Sequence, residues 1–244
     1  MGQIRTDGIV LRHVNFGDND RILTILSPMM GLLTVSARGC RKVTSRMLSA
    51  SELFTAGEFL LYEKEGRYTL SSFSLQENFY PLRNDFTRLS HGAYWLALCE
   101  ATAQPGEDCA RLFKMLMLSL AVLTYGDLPE RALTAVFLMQ FSILMGFEPC
   151  LDVCVQCGKP LQPPMRYDAE HGGACCVRCA PAGAALAPQT LEWLREAQKK
   201  GAFVLAGKRG LPEADKETVE QAFRLMRAHV ERRVEKAIAA AKFL

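Results

Sequence analysis

At 244 residues the chain is too long for one small module and suits two domains plus an insertion. A hydrophobic fraction of 49% supports an ordinary buried core, and a net charge of only +3 excludes strong nucleic-acid binding by overall charge. The N-terminal MGQIRTDGIVLRH has no long apolar run of a secretory signal, and no stretch of about 18 uncharged apolar residues follows, so a cytoplasmic protein without membrane association is expected.

Residues 1–80 read as strands. Gln3–Val14, Arg21–Leu26 and Leu32–Ala37 are apolar runs parted by turn chemistry at Asn15–Asp20 and Ser27–Gly31. Glu58–Lys64 and Arg67–Leu75 flank Glu65–Gly66 as a hairpin. Five strands with a longer link between the third and fourth fit a small closed barrel, either of the oligonucleotide/oligosaccharide-binding (OB) kind or SH3-like.

Residues 81–244 read as helical. Asp85–Ala103 carries Leu89, Ala93, Leu96 and Ala97 at helical spacing, with Phe86 and Trp95 on its flanks. Glu107–Thr124 and Glu130–Met145 are apolar enough to be buried on most of their surface. Residues 150–183 form a Pro/Gly-rich, cysteine-rich insertion. Beyond it, Pro188–Lys199 predicts an amphipathic helix with Leu191, Trp193 and Leu194 inward. Lys200–Pro212 then predicts a loop or short turn, and Asp215–Ala241 a long last helix striped by Val219, Phe223, Met226, Val230, Val234 and Ile238. The fold class is therefore α+β: a five-stranded barrel, then a helical domain with an inserted cysteine module.

The chain has nine cysteines, six of them between residues 150 and 179, and no signal sequence; metal binding suits this pattern better than disulfides. Cys154-Val-Gln-Cys157 and Cys176-Val-Arg-Cys179 are two CxxC knuckles separated by 18 residues, the spacing of a four-thiolate zinc site. Four thiolates leave no open coordination position, so the single Zn2+ expected here is structural. Cys175, Cys150 and His171 are alternative ligands of poorer spacing.

The stretch Ala37–Arg46 (ARGCRKVTSR) gathers Arg38, Arg41, Lys42 and Arg46 with no acidic residue, and Arg5, Arg12 and Arg21 lie on the strands upstream. A basic loop beside a small barrel is a means of collecting phosphate contacts, although four charges in a loop also suit a merely solvated surface. Aromatic partners for base stacking are sparse: Phe16, Phe54, Tyr62, Tyr68 and Phe73 serve equally well as core. Charge without stacking favours the nucleic-acid backbone, duplex included.

No catalytic constellation is visible. His13, His91, His171 and His229 have no motif placing them beside a nucleophile, and phosphate-binding and dinucleotide-binding glycine loops are missing. A binding protein and not an enzyme is expected.

GIVL (Gly8–Leu11), FGDNDRILTILSP (Phe16–Pro28), ARGCRK (Ala37–Lys42), MGFEPCLDVCVQCG (Met145–Gly158) and GGACCVRC (Gly172–Cys179) together resemble the RecO family of DNA-repair mediators across nearly the whole chain. The resemblance implies an N-terminal OB-fold, a helical domain with a zinc finger, and a bacterial cytoplasmic protein associated with the nucleoid during repair. It implies binding of single- and double-stranded DNA, annealing of complementary strands, and loading of RecA with RecR onto strands coated by single-strand-binding protein, whose C-terminal tail docks on the helical domain. The family's basic segment falls on Arg38, Arg41 and Lys42, and its zinc ligands on Cys154, Cys157, Cys176 and Cys179. The competing readings are an RNA-binding zinc-ribbon protein and a protein–protein adaptor without annealing activity.

Overall fold

A computed structural model describes residues 2–45, 47–208, 210, 213–234 and 238–244. The first half is built on five strands: β1 (Gly2–Phe16), β2 (Asp20–Ser27), β3 (Gly31–Ala37), β4 (Ala56–Lys64) and β5 (Arg67–Glu77). They close into a barrel in the order β1-β2-β3-β5-β4, all neighbours antiparallel except β3 and β5. This is the OB arrangement, and it decides between the two barrels that the strand pattern allows.

Alternation fills the barrel. Leu23 and Ile25 on β2 and Leu33 and Val35 on β3 point inward with Val10, Phe59 and Leu61, all buried. A turn of 3-10 helix at Ser49–Ser51 lies in the long link between β3 and β4. At the far end of the β2–β3 hairpin, Gly31 has a φ of 65° and a backbone neighbour so close that a Cβ would overlap the carbonyl oxygen of Gln104.

Among the described residues five α-helices follow: α1 (Phe86–Thr102), α2 (Ala110–Tyr125), α3 (Glu130–Leu144), α4 (Pro188–Leu205) and α5 (Lys216–Glu231). Asp85 caps α1, its side chain accepting from the Arg88 N–H, and Asp215 caps α5 in the same way through Thr218. On α1 the burial runs nearly all round, and Trp95 is fully buried rather than flanking. Between α3 and α4 the cysteine-rich segment forms a three-stranded sheet in the order β7-β6-β8, with β6 (Met165–Asp168), β7 (Gly173–Cys176) and β8 (Ala184–Leu186).

The chain divides into two compact units, Met1–Leu120 with Ile238–Leu244, and Ala121–Ala237. In the first, α1 packs on β1 and β2 and receives the C-terminal 3-10 turn Ala239–Phe243, where Phe243 meets Phe86 edge-on. In the second, α3 packs against α4 and α5.

Two expectations fail here. Lys200 does not begin a loop: α4 runs on to Leu205 because Ala197, Gly201, Val204 and Leu205 continue the buried stripe of Leu194. Gly201 lies against the Gln140 side chain on α3, so its missing side chain permits a close helix–helix approach. Nor does the last helix reach Ala241. Helix α5 ends at Glu231, and Ile238–Leu244 belongs to the other unit.

Candidate metal centre and basic loop

The sulfurs of Cys154, Cys157, Cys176 and Cys179 all lie within 4.8 Å of one another. Cys154 Sγ stands 3.9 Å and Cys157 Sγ 4.0 Å from Cys176 Sγ. A tetrahedron with zinc–sulfur bonds of about 2.3 Å has edges of about 3.8 Å, so the donor set fits zinc in both chemistry and size.

Each knuckle is held by backbone bonds. The Gly158 N–H donates to Cys154 O (2.8 Å), and the Cys179 N–H to Cys176 O (3.0 Å). The two knuckles are joined by the Val155 N–H donating to Ala174 O (2.9 Å) and by the Cys176 N–H reaching Cys154 Sγ (3.5 Å). Gly173 lets β7 close on the preceding chain: Cys150 N–H donates to Gly172 O and Ala174 N–H to Cys150 O, where a Cβ on Gly173 would overlap the Cys150 carbonyl.

The electrostatics agree with a cation site. Burial opposes ionisation of Cys154, but N–H groups of Cys157, Cys176 and Gln156 aimed at its sulfur prevail and bring its thiol down to about 6. Hydrogen bonding with Cys179 lowers Cys176, and the same shared proton raises Cys179 to about 12.

The three alternative ligands stand apart from the sulfur group. Cys175 alternates with Cys176 on β7 and is buried beside Cys154 and Ala180, burial pushing its thiol up to about 11. Cys150 donates its thiol to Val153 O (3.6 Å), and the His171 ring is turned onto Asp168, Nδ1 to Oδ2 2.7 Å.

A feature that sequence reasoning missed fastens this module to α5. His229 is fully buried; its Nε2 donates to Phe147 O (2.8 Å), and Nδ1 accepts from the Tyr167 hydroxyl (2.8 Å) on β6. Arg233 donates to Ala169 O (3.0 Å) and His229 O (2.9 Å). Burial holds the His229 ring down at about 4, against the pull of the Phe147 carbonyl, so the imidazole is neutral. The signal for it in the sequence is an isolated histidine at the end of an apolar stripe.

The basic loop leaves β3 at the turn end of the β1–β2 hairpin. Arg38, Arg41 and Lys42 are all exposed. Arg41 also ties the loop down: its N–H donates to Asn19 O (2.9 Å), and its guanidinium to Asp18 O (3.1 Å) and Gly17 O (3.4 Å). Gly39 N–H donates to the Asp20 carboxylate at 2.7 Å. Arg46 lies outside the described residues.

The two upstream arginines differ from the loop. Arg12 is exposed on the outer face of β1 but paired with Glu100 of α1 (2.9 Å). Arg21 is a brace: its side chain is only 14% exposed, ion-paired with Glu52 (2.7 Å), and donates to Ser51 O and Ser51 Oγ. Strand parity explains it. Arg21 shares the inward face of β2 with Leu23 and Ile25, so its charge faces the barrel end beside the 3-10 turn and not solvent.

Among the described residues no helix is long and apolar enough to cross a membrane.

The chain matches the family described as recombination protein O, N terminal, over residues 1–79, and recombination protein O, C terminal, over residues 83–240. It is similar to the DNA repair protein RecO of Anaeromyxobacter sp. (strain K), 32% identical over 100% of this chain and 96% of that protein. The RecO proteins of Pelotomaculum thermopropionicum (34% identical, 72% of this chain and 68% of that protein) and Acetivibrio thermocellus (30%, 73% and 71%) are also similar. A full-length relative, matches to both halves, the OB barrel and the four-cysteine cluster agree: the chain belongs to the RecO family.

Proposed function

We propose that this protein is a non-catalytic mediator of recombinational repair that binds single- and double-stranded DNA, anneals complementary strands and, with RecR, loads RecA onto strands coated by single-strand-binding protein. Residues 1–80 serve as the DNA-binding barrel. Residues 81–244 serve as the helical domain that meets protein partners, including the tail of single-strand-binding protein, and residues 150–183 hold one structural Zn2+ on Cys154, Cys157, Cys176 and Cys179. The protein works in the bacterial cytoplasm.

The observation that supports DNA binding is the exposed, acid-free run of Arg38, Arg41 and Lys42, held by Arg41 and Gly39 against the hairpin turn of an OB barrel. Two DNA strands repel each other, and a surface that neutralises phosphates on both lowers that barrier without covalent chemistry. Arg12 lies further along β1, where a phosphate would compete with Glu100 for it, and Arg46 would add to the loop; Arg21 contributes by holding the barrel end that carries the loop.

The test is DNA affinity across a salt series for the wild type, for Arg38→Glu with Lys42→Glu, and for the triple variant that adds Arg41→Glu. For every phosphate no longer neutralised, the logarithmic salt dependence should flatten by about 0.7–0.9. The double variant, which keeps the Arg41 tether, should weaken every sequence and strand form alike. Wild-type affinity in both variants would refute the assignment of the loop, and a strong preference for RNA over DNA would move the protein to RNA metabolism.

A further inference from the structure

We propose that the outer face of β1 and β2, centred on Phe16, stacks unpaired DNA bases, so that the barrel takes single strands by their bases as well as by their phosphates. The inference rests on the DNA-binding reading of the adjacent loop.

The structure sorts the aromatic residues that sequence left undecided. Phe54 is buried, and Tyr68 and Phe73 pack against the barrel core. Phe16, the last residue of β1, is 63% exposed. Its neighbours follow from the register. After the irregularity at Val10–Arg12, the pairs Arg12↔Thr24, Val14↔Ile22 and Phe16↔Asp20 lie on one face, opposite to the face of Leu23 and Ile25 that fills the barrel. Helix α1 packs on these strands and Arg12 reaches its Glu100, whereas Val14 and Phe16 toward the hairpin stay exposed.

Charge says what would cover this surface. Arg38 follows β3, two strand spacings or about 10 Å from the β1 edge, with Lys42 beyond it and Arg12 two pairs back along β1. The acids of the hairpin turn are Asp18 and Asp20, and the Asp20 carboxylate accepts from Gly39 N–H at the foot of the basic loop. An aromatic ring and an aliphatic neighbour beside the exposed Arg38 and Lys42 match a stacked base with its phosphate on the basic loop. A duplex buries its base faces, so this surface adds affinity only for unpaired nucleotides.

The experiment measures binding, at one salt concentration, of an oligothymidylate, an abasic strand of equal length and a blunt duplex to the wild type, to Phe16→Ala and to Phe16→Tyr. Stacking predicts that Phe16→Ala loses about fivefold to a hundredfold on oligothymidylate, changes less than twofold on the other two probes, and is rescued by Phe16→Tyr. Unchanged binding of oligothymidylate, or an equal loss on all three probes, overturns the stacking role while leaving the charged loop standing. A wild type that binds none of the probes overturns the DNA-binding reading itself, and the stacking role with it.

Discussion

The molecule contains two small sheets that solve the same problem differently. The barrel buries a cluster of Val10, Leu23, Ile25, Leu33, Val35, Phe59, Leu61 and their neighbours. The β7-β6-β8 sheet is much shorter: around its knuckles it buries Cys154, Cys175 and Ala180, and its strands add Met165, Tyr167, Ala174 and Leu186. So small a buried set offsets little of the segment's ordering entropy, which leaves room for metal–ligand bonds and for what the sheet leans on. The four sulfurs are placed to supply the first, and the Tyr167–His229–Arg233 set supplies the second. The barrel should therefore be indifferent to metal, and the cysteine module indifferent to barrel packing.

The largest effect that separates the two is metal removal. With structural zinc contributing on the order of 10 kcal/mol in small zinc modules, a strong chelator or Cys176→Ser should release one zinc per chain and speed hydrogen exchange across residues 150–187. Exchange in β1–β5 should stay as it was. Release of metal without local loss of protection would break the comparison.

The reverse experiment is Phe59→Ala. Phe59 is buried and packs on Phe73, ring centroids 4.7 Å apart, and the truncation should destabilise the barrel by about 3–5 kcal/mol. Zinc content, measured by atomic emission on the folded protein, should be unchanged.

His229 gives a pH-dependent version of the same contrast. Its folded value of about 4 lies below the usual 6.5, so the fold favours the neutral ring. The stabilisation is present above pH 6.5 and is lost as pH falls from there toward 4. Between pH 7 and 5 this amounts to about 2 kcal/mol. In urea unfolding of the helical unit, the wild type should therefore lose more stability over that range than His229→Gln, which has no proton to gain. Equal losses would remove the histidine from the account.

Arg21 yields the smallest effect. Arg21→Ala removes a donor from Glu52 and from the Ser51 carbonyl and should lower barrel stability by about 1 kcal/mol. The salt dependence of DNA binding should not flatten, in contrast to the Arg38 and Lys42 variants.

These sites also mark what was legible in the sequence. The strands, the four-cysteine constellation and the first three helices could be read because their signals are local: alternation, CxxC spacing and helical periodicity. Three features depend on tertiary context instead. Gly201 sits inside α4 because Gln140 of α3 lies against it. The chain after Glu231 leaves α5 although its apolar stripe continues in sequence, and Phe243 finishes against Phe86. Sign of charge alone does not tell Arg21 from the loop cations, whereas its parity with Leu23 and Ile25, plain in the sequence of β2, sets it at the barrel end. The exposure of Phe16 was not readable, because only the closed barrel tells which aromatics its core consumes.

The most direct test of the central claim is annealing of two complementary labelled oligonucleotides by the purified protein, without ATP, across a salt series. Mediation through phosphate neutralisation at the basic loop predicts fast annealing that fades steeply as salt rises, and that is lost in the Arg38→Glu, Lys42→Glu variant. No acceleration at low salt, or acceleration untouched by the variant, would contradict it and leave the protein as an adaptor between other repair proteins.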